Sequence, residues 1–142
     1  MVATTDWIGI YEDKFKKVYD SVKNLESKPA FTKLDKLPQD KRELLCKKYF
    51  RLFDISCELL KSYLIYNGII QSGRLLILRK SYNLEVIEDA QKWINLYFVF
   101  GNYKKHSNEK TEKFVIAHLN SDYLKIFDDL NLYIKQEMEM AN

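Results

Sequence analysis

Apolar residues recur along this chain at three- and four-residue steps for most of its length, which predicts four or five helices. The first stripe, Tyr11, Phe15, Val18, Tyr19, Val22 and Leu25, predicts a helix over roughly Trp7 to Leu25 with one apolar face. Asp13, Lys14, Lys17 and Lys23 fall elsewhere on its wheel. Pro29 and Pro38 bracket a polar connection, and Pro38 suits the first turn of the next helix, where its missing N–H costs nothing.

The second helix is the longest, roughly Gln39 to Asn67. Leu45, Tyr49, Leu52, Phe53, Ser56, Leu59, Leu60, Tyr63 and Leu64 keep helical spacing, and Gly68 stands where a left-handed cap is needed. Small Ser56 in that stripe lets a neighbouring helix approach closely. Ser72 is the expected N-cap of a short third helix, "GRLLILRKSY", and Asn83 of a fourth. On the fourth, Ile87, Ala90, Ile94, Tyr97, Phe98 and Gly101 share the face assigned to the core. The fifth begins near Asn108, with Glu109 and Glu112 at its positive end. Its core side is Phe114, Val115, His118, Leu119, Leu124, Phe127, Leu130 and Ile134, with an interruption expected at Asn120 and Ser121, poor helix-interior residues. Such stripes pack as an all-α, antiparallel four- to five-helix up-and-down bundle, a single domain over residues 1–142.

Composition narrows the class. Hydrophobic residues are 46% and charged residues 30%, a soluble, ordered globule, and only 4 glycines and 2 prolines leave little material for the turns of an all-β fold. The net charge of +3 is too small to argue for nucleic acid by itself. It is also dispersed: 11 basic and 8 acidic residues in 1–50, 6 and 5 in 51–100, 6 and 7 in 101–142, so no segment is a polybasic tail. Cys46 and Cys57 lie on a similar face of one helix but roughly 16 Å apart along it, too far to bond. They read as core thiols of a reducing compartment. There is no zinc-like ligand spacing, no signal-peptide pattern at the N-terminus, and no apolar run long enough to span a bilayer, so the expectation is a cytoplasmic protein with no metal, no cofactor and no membrane.

"KYFRLFDISCELLKSYLIYNGI", Lys48 to Ile69, supplies an aromatic-rich start (Tyr49, Phe53), an acidic residue (Asp54), an aliphatic and a small residue (Ile55, Ser56), a Leu-Lys-x-Tyr-Leu run (Leu60, Lys61, Tyr63, Leu64) and a Gly-Ile ending (Gly68, Ile69). This resembles the characteristic helix of the nucleotidyltransferase substrate-binding protein family, part of the HEPN (higher eukaryote and prokaryote nucleotide-binding) superfamily. The family's Ser-Pro-Arg at the third helix is here Ser72-Gly73-Arg74, and Trp93 stands within about one residue of its helix-four tryptophan. Its signature, Arg-Asn, three variable residues and His, often with Tyr two places on, is met by Asn102 and His106; Gly101 replaces the arginine and Asn108 the tyrosine. The architectural likeness covers roughly Tyr11 to Ile134 and is specific mainly over Lys48–Arg74 and Trp93–His106.

The resemblance implies a homodimeric bundle that partners a small nucleotidyltransferase in a toxin–antitoxin-like module. On that reading Arg74, Asn102, Lys104, Lys105 and His106 contact a nucleotide, RNA or the partner, without catalysis by this chain. One alternative is a metal-independent ribonuclease toxin. There His106 is the catalytic acid or base, suited by a pKa near neutrality, and Arg79 or Lys105 must replace the phosphate-binding arginine. The other alternative is a purely structural interaction bundle. The residues alone support blander assignments. Asn102 and His106 form a helix-end pair, and Gly101 is a close-packing point or C-cap. "KKHSNEKTEK" is a solvated turn, and His118 is a satisfied, partly buried side chain. The tyrosines belong to core and interface, and Asp54 and Glu58 pair with Arg51 and Lys61.

Overall fold

The computed structural model describes residues 6–119 and 122–141, and the described residues hold helices and no strand. Seven α-helical segments follow in order: α1 (Asp6–Ile10), α2 (Lys16–Glu26), α3 (Gln39–Tyr66), α4 (Arg74–Asn83), α5 (Ala90–Lys105), α6 (Glu109–Leu119) and α7 (Lys125–Ala141). A π-turn over Tyr11–Phe15 joins α1 to α2 in one rod, and three short 3₁₀ turns occupy Pro29–Phe31, Leu34–Lys36 and Asp122–Leu124. The all-α class is as expected; the described residues form six rods, not four or five, because the stretch read as a fifth helix holds two, α6 and α7. The interruption expected at Asn120 and Ser121 lies outside the described residues; α6 ends at Leu119 and α7 begins at Lys125.

α3 is the central helix. All nine positions of its predicted stripe are buried, and so are Cys46, Ile55 and Cys57, because neighbours cover it on several sides. The first rod runs antiparallel to it: Trp7 stacks edge-on with Tyr63 at 5.2 Å, Lys14 meets Glu58 at 3.1 Å, and Lys48 donates to Ser21 at 2.8 Å. α7 closes the other side, with Phe127 against Tyr49 and Trp93 at 6.0 and 5.3 Å and Asp128 accepting from Tyr19 at 2.6 Å. Both cysteines are free thiols, pushed up to about 12 by burial in the core, so they stay protonated and inert.

α3 ends as its glycine predicts. Gly68 adopts φ +80°; its N–H bonds Ile65 O at 2.9 Å and the Ile69 N–H bonds Leu64 O at 2.8 Å, the paired bonds of a Schellman cap. Residues 67–73 then run back along α3, because the Arg74 guanidinium is bonded to Asp54, about 18 Å down the helix from Tyr66. The expected caps of the next two helices are corrected. Gly73, not Ser72, precedes α4, with φ +99° and no side-chain cap. Asn83 is the last residue of α4, and Asp89 caps α5 by accepting from the Lys92 N–H at 3.1 Å.

α4 ends in a second Schellman cap, but a glutamate holds the left-handed position: Glu85 has φ +61°, its N–H bonds Tyr82 O at 3.0 Å, and the Val86 N–H bonds Ser81 O at 2.9 Å. A Cβ there costs about 1 kcal/mol that glycine does not. Glu85→Gly is therefore expected to raise the melting temperature by about 3 °C, read by calorimetry; a fall would mean that the side chain outweighs the backbone strain.

Candidate functional site

α5 carries the residues singled out by the sequence, and apolar side chains lie on almost every side of it. The buried set is Trp93, Leu96, Val99, Phe100 and Tyr103. Of the face expected to be core, Ile87 just before α5 is buried, but along the helix that face is the outer one: Ala90, Ile94 and Tyr97 are half-buried, Phe98 is 60% exposed and Gly101 is exposed. The phase was ambiguous because both rows are apolar, and the inner row is the one that meets α3 and α7. Phe53 touches Trp93 and Phe100 at 6.0 and 5.4 Å, and Phe50 touches Tyr103 at 5.9 Å.

The end of α5 is a tied-down backbone with free side chains. His106 is the C-cap, and its N–H bonds Asn102 O at 2.9 Å. Its carbonyl accepts from the Thr111 hydroxyl, and Ser107 Oγ donates to Tyr103 O at 2.8 Å. α6 restarts on a reciprocal cap, Asn108 and Thr111 each giving a backbone N–H to the other's side-chain oxygen at 3.0 Å. Asn102, Lys104, Lys105 and His106 are exposed, and among the described residues none of their side chains bonds another group of the chain. The two lysines sit in the last turn, where the helix dipole favours cations. Between them and Asn102, Tyr103 points inward, its phenol pushed up to about 12 first by burial.

Arg74 is not part of this cluster. It opens α4 and pairs with Asp54, which also faces Arg51 at 3.7 Å. The sequence paired Asp54 with Arg51 correctly, missed Arg74 as its closer partner, and paired Glu58 with Lys61, whereas Lys14 holds Glu58. Gly101 is neither of the things its residue type suggested. Among the described residues a Cβ there would meet nothing within 4 Å, so it is no close-packing point between them, and the C-cap is His106.

On α6, His118 is half-buried, its Nδ1 3.0 Å from Phe114 O and its ring against Phe114 and Tyr123 at 4.6 and 5.6 Å. Phe114, expected in the core, is 52% exposed, since Val115, Ile116 and Leu119 form the inward row. Among the described residues no cluster of three His, Cys, Asp or Glu side chains is placed to hold a metal ion, and no helix is long and apolar enough to cross a membrane.

Two features escaped the sequence reading. Arg42 on α3 and Glu112 on α6 form a buried pair, and Lys17, Lys47, Lys48 and Arg51 gather at one groove between α2 and α3. The dense basic run of "KRELLCKKYFR" was the available signal for the second; nothing local marks the first.

No family model matches the chain, and no curated protein does. Fold and site together define an all-α protein whose fourth long rod ends in an exposed Asn, Lys, Lys and His cluster.

Proposed function

We propose that the chain is the helical, nucleotide- or RNA-binding partner subunit of a small nucleotidyltransferase, in a toxin–antitoxin-like module, and that it performs no catalysis of its own. The observation that carries this is the α5 end: Asn102, Lys104, Lys105 and His106 are offered outward from a fixed backbone, and among the described residues no side chain engages them. Groups held ready in this way suit contact with phosphate or a partner surface. Catalysis asks for more. The His106 ring has no orienting partner among the described residues, Arg74 is committed to Asp54, and position 101 carries no guanidinium. The likeness of the α3 and α5 segments to the nucleotidyltransferase substrate-binding family supports the same reading. On it, the chain is a homodimer with that family's up-and-down bundle, located in the cytoplasm.

A neighbouring gene with a Gly-Ser…Asp-x-Asp nucleotidyltransferase pattern is expected. Its product, co-expressed with this chain, is expected to co-elute with it as a defined complex in gel filtration, and Lys104→Glu with Lys105→Glu to weaken that complex at least tenfold by calorimetry, roughly 1.4 kcal/mol. Separate elution of the two wild-type proteins would refute the proposal.

A further inference from the structure

Most lysines that lie near a carboxylate use it. Lys14, Lys16, Lys23, Lys92 and Lys113 sit 3.1, 3.3, 2.7, 3.8 and 3.0 Å from Glu58, Asp20, Asp128, Asp89 and Glu109. Away from the α5 end, unpaired positive charge gathers between α2 and α3. Lys17 on α2 and Lys47, Lys48 and Arg51 on α3 line a groove of about 270 Å³, with Val18 and Ser21 completing it and no carboxylate in its walls. Among the described residues Lys17, Lys47 and Lys48 have no ion pair, and the nearest carboxylate to Arg51 is Asp54 at 3.7 Å, which Arg74 already holds. The Lys48 ammonium donates to Ser21 Oγ across the groove at 2.8 Å, which fixes one cation between the two helices. Lys47 and Arg51 lie one turn apart on one helix, and Lys17 and Ser21 one turn apart on the other, so both walls present polar or charged groups at helical pitch.

We propose that this groove holds the phosphodiester backbone of a single-stranded RNA segment. The inference rests on the part of the preceding reading that gives this chain an RNA ligand, and it places that contact on residues other than those of the α5 end. Three lysines with no ion pair, beside an arginine whose carboxylate is shared with Arg74, call for a polyanion. A protein partner fits poorly, because interface cores are depleted in lysine and need a large apolar anchor, and the groove offers only Val18. A bilayer fits no better, since the site is a groove with no exposed large apolar side chain to insert. No aromatic ring and no side-chain amide lines it, so it reads charge and not base identity.

The test is fluorescence anisotropy of the full chain with labelled 20-mer oligouridylate and oligoadenylate across a salt series. Four backbone contacts predict a slope of log K against log salt of about −3 for a single strand, similar for both sequences. Lys47→Ala with Arg51→Ala is expected to flatten the slope by about 1.4 and to weaken both oligomers alike, with circular dichroism unchanged because both side chains are exposed. Unchanged binding in that variant overturns the proposal and leaves the α5 reading standing. So does loss of RNA binding in Lys104→Ala with Lys105→Ala alone. A wild-type chain that binds neither oligomer at low salt yet joins the nucleotidyltransferase overturns the groove and not the partnership; RNA bound through the groove without such a complex does the reverse. Displacement of the RNA by an equal charge of polyglutamate, or tighter binding to phosphatidylserine vesicles, also overturns it.

Discussion

Glu112→Ala is expected to destabilise the fold by about 3–5 kcal/mol in urea unfolding, a large share of what a domain of this size has. Arg42 Nε lies 3.0 Å from Glu112 Oε1, and the two side chains are only 10% and 8% exposed. The pair links the start of α3 to the first turn of α6. Removing the carboxylate leaves a buried guanidinium with no bonded carboxylate, Glu109 acting on it only from the exposed surface, and that, more than the lost attraction, sets the magnitude. Arg42→Met in the same protein is therefore expected to recover much of the loss, since it removes the buried charge left without a partner, while the volume lost at position 112 is not restored. The exposed pair Lys113–Glu109 has the same separation, 3.0 Å, yet its side chains are 64% and 65% exposed. Glu109→Ala is expected to change nothing measurable. If Glu112→Ala costs no more than Glu109→Ala does, the Arg42–Glu112 pair is hydrated and this account of it fails.

That pair also shows where a linear reading of the chain stops. α3 could be read nearly to the residue, because its stripe is long, strictly periodic and closed by Gly68. α5 could be located but not rotated. Its inner and outer rows are both apolar, so periodicity alone could not choose between the row of Trp93, Leu96 and Phe100 and the row of Ile94, Phe98 and Gly101. The caps failed for a related reason: Ser72 and Asn83 have the right chemistry for an N-cap, yet the chain enters α4 through Gly73 and leaves it through a left-handed Glu85. Of the candidate site, Asn102, Lys104, Lys105 and His106 could be found because they are neighbours in sequence. Arg74 was misjudged because its partner, Asp54, is 20 residues away, and the Arg42–Glu112 pair spans 70. Contacts of that separation are set by how the helices pack, which local spacing does not encode.

Gly101→Arg is the most informative single change to this molecule. An interior helical glycine lowers stability by about 0.5–1 kcal/mol relative to residues with a side chain, and nothing among the described residues explains keeping one here, since its missing Cβ faces open space. Arginine therefore fits without displacing anything. Repulsion from Lys104 and Lys105, three and four residues on, subtracts a few tenths, so a net gain of about 0.5 kcal/mol is expected. The larger effect is chemical. The change completes an Arg-Asn-x-x-x-His sequence at the exposed end of α5 and supplies a forked donor able to bind charge developing on a phosphate, with His106 available to move the proton. A preorganised donor is worth about 10²–10³ in rate, which is the ceiling for a side chain standing in open space. The expected result is metal-independent cleavage of an oligoribonucleotide by Gly101→Arg, at up to that factor over the uncatalysed background, where the wild type shows none, and abolished by adding His106→Ala. Gly101→Ala supplies the control: it gains the stability without the guanidinium and should gain no cleavage. If Gly101→Arg matches Gly101→Ala in both respects, the Asn and His at the end of α5 are not the remnant of a nuclease site. The glycine would then have to be explained by what approaches α5 from outside the chain.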